Sequence, residues 1–253
     1  MLADDNLSIK IMENIDLESV VDSEFGAHPF TFISEDADYH KILSNFLAMS
    51  QAFPYLQAGS QQALIFHHMN TNTDIPEHVE LTSVVGNFLC WDETGGFYLT
   101  LASGLKGLPR LLETRRFHSN LLKKDLHYIF QQPIQPDYSS LTQSYLTELY
   151  RGLSTLCPIE RVAYMVGFET HANRMISALW DSLVKKYLLE KNKLAYFHTH
   201  VGGDDPAEAY HVEMTNKLIN KIVSPDKIDL FTSLFIKAYR ANHEWCKALT
   251  NYN

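Results

Sequence analysis

Apolar residues along this chain recur at steps of three and four, and no segment alternates convincingly at steps of two. A period near 3.6 marks helices that bury one stripe, so the pattern predicts an all-α fold without strands. The first helix is expected to begin near Asp36, run through Ile42, Leu43, Phe46, Leu47 and Met49, and stop before Pro54. A second is expected over about Ser60 to Met69. In NTNTDIPEH, Asp74 can serve as N-cap, Pro76 fits the first turn and Glu77 stands three residues after Asp74, so a helix should open here and reach about Trp91. Further helices are expected from about Lys106 to Ile129, Leu141 to Leu153, Pro158 to Glu190, Leu194 to His200, Asp205 to Val223, and from Ser224-Pro225 to about Leu249. Residues 1 to 34 read as a loosely organised N-terminal segment. The expectation is one all-helical domain over residues 1–253, a bundle of seven to nine helices with short connections.

Composition narrows the class. The formal net charge of -9 argues against a partner with a phosphate backbone, which needs clustered Lys and Arg. Arg110, Arg115, Arg116, Lys123 and Lys124 come nearest to such a cluster, but Glu113 and Asp125 interrupt it, and a solvated helix face is the simpler reading. Three widely spaced cysteines, Cys90, Cys157 and Cys246, make no disulfide framework, so a cytoplasmic location is expected. The acidic N-terminus lacks the form of a signal or transit peptide, and no apolar run approaches the roughly 20 residues of a membrane span.

Three places carry candidate chemistry. Between Pro158 and Glu190 the apolar stripe of Val162, Val166, Ile176, Leu179 and Leu183 includes Glu169. A carboxylate on a core-facing stripe must be paired, protonated or bound to a metal; a hydrogen bond to Tyr or Arg would serve as well. The second place is YFHTHVGGDDPAEAYHVEM, residues 196–214, with His200, Asp204, Glu208 and His211. Glu208 and His211 form an E-x-x-H pair, the spacing by which helical bundles hold iron or manganese, although Asp205-Pro206 with Glu208 is also a helix-start arrangement. Gly202-Gly203 reads as a turn that lets the backbone bend around an ion. The third place is the helix of EHVELTSVVGNFLCWDETGG, where Glu80, Val84, Asn87 and Trp91 share a face; Glu80 there is a third inward carboxylate, or simply a first-turn Glu favoured by the helix dipole. His67, His68, His118, His127 and His171 pair with no carboxylate at a useful spacing and read as structural or surface residues.

The run AYMVGFETHANRMISALWDSLVKKYLL…LAYFHTHVGGDDPAEAYH resembles the second half of the heme-oxygenase-like diiron oxidases and oxygenases, in the branch around the chlamydial protein associating with death domains. Glu169 fits that family's mid-helix Glu, Tyr196-Phe197 its aromatic pair, and His200 and His211 its two later histidines. Glu80 fits the Glu of the first half, while Asn87 stands where a His is expected. The family's interval of three residues from the first His to an acid is kept by Asp204, and the interval of two from an acid to the second His by Glu208. The resemblance implies a heme-oxygenase-like bundle, often dimeric, that activates O2 at ferrous iron and oxidises a small organic substrate or a side chain of its own. Its ligands would be Glu80, Glu169, His200, Glu208 and His211, with Asn87 and Asp204 as weak or additional ones. Two iron sites of unequal affinity are expected because of Asn87, with manganese as the other metal suited to such ligands. Two other readings stand beside it: a thiaminase-II-like hydrolase using Cys157 at a helix N-terminus, and a metal-free interaction protein.

Overall fold

The computed structural model describes residues 16–203 and 207–251. Among them the secondary structure is entirely helical, in ten α-helices and four short 3-10 segments. The α-helices are α1 (Leu17–Phe25), α2 (Tyr39–Thr71), α3 (Glu77–Glu93), α4 (Gly96–Ser103), α5 (His118–Phe130), α6 (Ser140–Leu153), α7 (Pro158–Tyr187), α8 (Ala195–Val201), α9 (Glu208–Ile222) and α10 (Ile228–Thr250). One apolar core runs through all but α4, and no described helix is long and apolar enough to cross a membrane.

α7 is the central element. Its stripe of Val162, Val166, Ile176, Leu179 and Leu183 is buried, and it packs against α6, α8, α9 and α10. α2 does not end at Pro54. It continues unbroken for 33 residues, because Phe53, Gln57, Ser60, Gln61 and Leu64 remain buried on either side of the proline. Their packing offsets the roughly 3 kcal/mol that an interior proline costs. α3 starts without a side-chain cap, directly after Pro76, so Asp74 does not play the part expected of it. The helix expected from Lys106 is also different. Gly104 (φ +58) ends α4, a 3-10 segment spans Gly104–Glu113, and Thr114 turns the chain at positive φ before α5 begins.

The N-terminal segment is ordered by burial from Leu17 onward. Asp16 caps α1, Val21 and Phe30 are fully buried, and His28 lies on His171 of α7 with their Nε2 atoms 3.1 Å apart. The Phe30 N–H donates to His28 Nδ1, so the neutral His28 ring carries its proton on Nε2 and donates it to His171. Burial pushes His28 down from 6.5 to about 3 and His171 well below its ordinary value. Folding therefore excludes protons that the unfolded chain would bind. The stability held here is complete above pH 6.5 and is lost as pH falls toward 3. For His28 alone the loss at pH 5 is about 2 kcal/mol. In a His28→Asn chain, which keeps an acceptor for the Phe30 N–H, the urea midpoint should fall less between pH 7 and pH 5 than in the parent. An equal fall in both chains would remove His28 as the cause.

Candidate metal centre

Four carboxylates and three imidazoles meet inside the bundle. Asp92 and Glu93 come from the last turn of α3, His118 from the first residue of α5, Glu169 from the middle of α7, His200 from α8, and Glu208 and His211 from the first turns of α9. Asp92, His118, Glu169, His200 and His211 are buried, and the Glu208 side chain is only 14% exposed.

Local sequence explains the convergence. Two residues after Glu93 comes Gly95 at φ +77, where a Cβ would lie 2.7 Å from the Cβ of Arg116 and 2.9 Å from its carbonyl oxygen. Only glycine permits that approach, and it brings His118, two residues beyond Arg116, against the end of α3. Asp125, one face along α5 from His118, accepts hydrogen bonds from the N–H groups of Ala195 (2.9 Å) and Tyr196 (2.7 Å) and so docks the start of α8. Gly203, at φ +85, allows the turn out of α8. α9 then presents Glu208 and His211 one turn apart on its inner face.

Glu208 stands between two groups of side chains. Its Oε1 lies 4.0 Å from His118 Nδ1 and 3.8 Å from His200 Nε2, while its Oε2 lies 3.6 Å from His211 Nδ1. Glu93 belongs to the first group, with Oε2 3.2 Å from His118 Nδ1 and Oε1 3.6 Å from His200 Nε2. Glu169 belongs to the second, 3.5 Å from His211 Nδ1. Two imidazoles have their other nitrogen already engaged. His200 Nδ1 lies 2.8 Å from the Tyr196 carbonyl, which can only accept, and His211 Nε2 lies 2.8 Å from Asp92 Oδ2. Each ring is thereby oriented to turn an unprotonated nitrogen toward Glu208 when neutral. Metal-binding histidines are fixed in the same way.

The electrostatics are those of closely coupled buried charges. Burial works to lower His200, but Glu208 and Glu93 overcome it and raise the ring to about 9. Burial likewise opposes His211, which the Asp92 hydrogen bond and then Glu169 and Glu208 hold well above the ordinary value. Glu93 is raised by burial yet held well below the usual carboxylate range by His118 and His200, and burial raises Glu208. Asp92 Oδ1, His118 Nδ1, Glu169 Oε1 and Glu208 Oε1 are buried without a hydrogen-bond partner. Such atoms are expensive unless something positive lies among them. With neutral imidazoles the four carboxylates carry a charge that two divalent ions would cancel.

A cavity of about 30 Å³ adjoins the cluster, room for about two water-sized groups. Met49, Phe53, Phe168, Ile176 and Val212 line it with Asn173 at one side, and Glu93, Glu169, His200, Glu208 and His211 form its polar wall.

Of the residues singled out from sequence, the structure brings Glu169, His200, Glu208 and His211 together. It does not bring Glu80 or Asn87. Both are exposed, as is Val84 between them, and Asn87 donates to the Ser83 carbonyl. The inward face of α3 is Val79, Thr82, Val85, Gly86 and Leu89, and it leads to Asp92 and Glu93. The inequality of two metal sites therefore loses the basis that Asn87 was given. Asp204 lies outside the described residues. His118, read as structural or surface, is 1% exposed and part of the cluster. Cys157 is exposed at the N-cap of α7 and is not among the residues lining the cavity, so nothing in the geometry favours a thiol nucleophile. His28, His171 and Cys246 also lie close enough to share an ion, but the Phe30 N–H occupies His28 Nδ1 and leaves the proton on the nitrogen an ion would need.

No family model matches the chain, and no match was found among curated proteins or solved structures.

Proposed function

We propose that this protein is an oxidase or oxygenase of the non-heme iron type, holding two ferrous ions on either side of Glu208. The observation that carries the reading is the division of that carboxylate: Oε1 toward His118 and His200, Oε2 toward His211, with Glu93 and Glu169 completing the two sides. Nitrogen and carboxylate donors without thiolate suit iron or manganese. The resemblance of residues 163–211 to the heme-oxygenase-like diiron enzymes points the same way and supplies the O2 chemistry.

Bound ferrous ions would supply the electrons for reducing O2. Glu93, His118 and His200 would hold one ion and Glu169 and His211 the other, with Glu208 shared. Asp92 and the Tyr196 carbonyl orient His211 and His200, so that neither ring must rotate to bind. Met49, Phe53, Phe168 and Ile176 line the cavity beside the cluster, which leaves room there for a small reactant. A larger organic substrate requires some of these side chains to move.

Anaerobic titration of Fe(II) into the metal-free protein should saturate at two ions per chain, and admitting air should then consume O2 and change the visible spectrum. Binding of fewer than two ions would overturn the dinuclear assignment. Two ions with no O2 uptake, with or without added reductant, would overturn the oxidase reading and leave a metal-binding protein.

A further inference from the structure

The segment between the two parts of the first metal position has a surface that the proposed chemistry does not use. From Gly96 to Arg116 the chain forms α4, the 3-10 segment and a turn. Its inner side is fixed by Leu99, which is buried, and by Gly107, where a Cβ would meet the Leu99 carbonyl at 2.7 Å. Along the segment Leu101, Leu105, Leu108 and Leu112 are all exposed, three of them at 59, 76 and 88% (Leu101, Leu105 and Leu112). Among them stand Lys106, Arg110, Arg115 and Arg116, opposed within the segment only by Glu113. The segment is thus +3 in a chain of net charge -9, and the remainder carries -12.

We propose that this exposed, leucine- and arginine-rich segment docks the protein on an anionic lipid surface. Exposed leucines interleaved with cations are the composition of elements that lie in a membrane interface, where apolar burial and attraction to acidic headgroups add. The concentration of positive charge in an otherwise acidic chain selects the occupant. A second copy meeting this patch across a two-fold axis would set the four cations against the same four. A peptide groove would cover its leucines in part with its walls, and side chains as exposed as Leu105 and Leu112 have none. Arg116 is held with its guanidinium 4.1 Å from the centroid of the Tyr98 ring, which keeps one cation at the edge of the patch. The inference does not rest on the metal chemistry, and the metal-free protein should bind as well.

The test is co-sedimentation of the full chain with vesicles of phosphatidylcholine alone or with about 30% phosphatidylserine. Binding is expected to the acidic vesicles and to fall as salt is raised. L105E/L112E should reduce it at least about tenfold, and K106Q/R110Q/R115Q should abolish the preference for acidic over neutral vesicles. These side chains are exposed, and an unchanged circular dichroism spectrum and iron stoichiometry would show the variants folded. Failure to bind acidic vesicles, or equal binding by parent and L105E/L112E, would overturn the proposal. So would a drop in sedimentation mass on L105E/L112E without vesicle binding by the parent, since the leucines would then cover another copy of the chain.

Discussion

With two ions held as proposed, a Glu208→Ala chain is expected to lose both together, whereas His118→Ala and His211→Ala should each lose one. Among the described residues, only Glu208 turns its two oxygens toward different groups of the cluster, so its removal opens both sides at once. Removing even an outer partner of a ligand costs about 10–100-fold in metal affinity, and loss of a shared ligand should exceed the upper figure at both positions. In the metal-free protein Glu208 is also the largest influence raising His200, so its removal weakens the compensation of a buried imidazolium and should lower the melting temperature. The increase in melting temperature on adding Fe(II) should vanish as well. Loss of that increase separates a ligand from a structural residue, whose removal would lower stability and leave the increase in place. Iron analysis after anaerobic desalting provides the first readout and thermal unfolding the second. A variant that retained two tight ions would remove Glu208 from the position between them.

The helical class was legible because the apolar period stays near 3.6 throughout, and Glu169 was legible because it interrupts the stripe of a long central helix. His200, Glu208 and His211 were legible from local spacing, since each lies within a turn or two of the Gly202-Gly203 break. The α3 carboxylates of the cluster were missed through a rotation of one position. Val84 and Val85 are adjacent, and counting from Val84 selects Glu80 and Asn87, while counting from Val85 selects Leu89 and then Asp92. A signal was present: two consecutive carboxylates in the last turn of a helix oppose its dipole, an arrangement that calls for a cation nearby. His118 offered no such signal. Nothing in its neighbourhood reveals that it meets Glu93, because that contact is made by the chain closing on itself at Gly95. The continuation of α2 through Pro54 was hidden for a related reason, since the local penalty is visible in sequence and the packing that offsets it is not.

The same closure yields the second large effect. Gly95→Ala should both destabilise the protein and detach His118 from the site, while Gly104→Ala should only destabilise it. Each glycine has positive φ, 77° at Gly95 and 58° at Gly104, so each alanine meets backbone strain of about 1–3 kcal/mol. Their surroundings differ. A Cβ at Gly104 meets nothing within 4 Å, but one at Gly95 lies 2.7 Å from Arg116 Cβ and within about 3 Å of its backbone. Backbone cannot rotate aside as the end of a flexible side chain can, so the Arg116 segment must withdraw, adding about 1–3 kcal/mol of overpacking. His118 is two residues further on, and its Nδ1 would leave the 3.2 Å contact with Glu93 Oε2. The expected outcome is a total loss of about 2–6 kcal/mol for Gly95→Ala with iron reduced toward one per chain, the ion by His211 being kept. Gly104→Ala should lose about 1–3 kcal/mol and still bind two. Urea unfolding of the metal-free chains and iron stoichiometry of the loaded ones distinguish these results. If Gly95→Ala holds two ions as tightly as Gly104→Ala, the close approach of Arg116 to Gly95 is not what places His118.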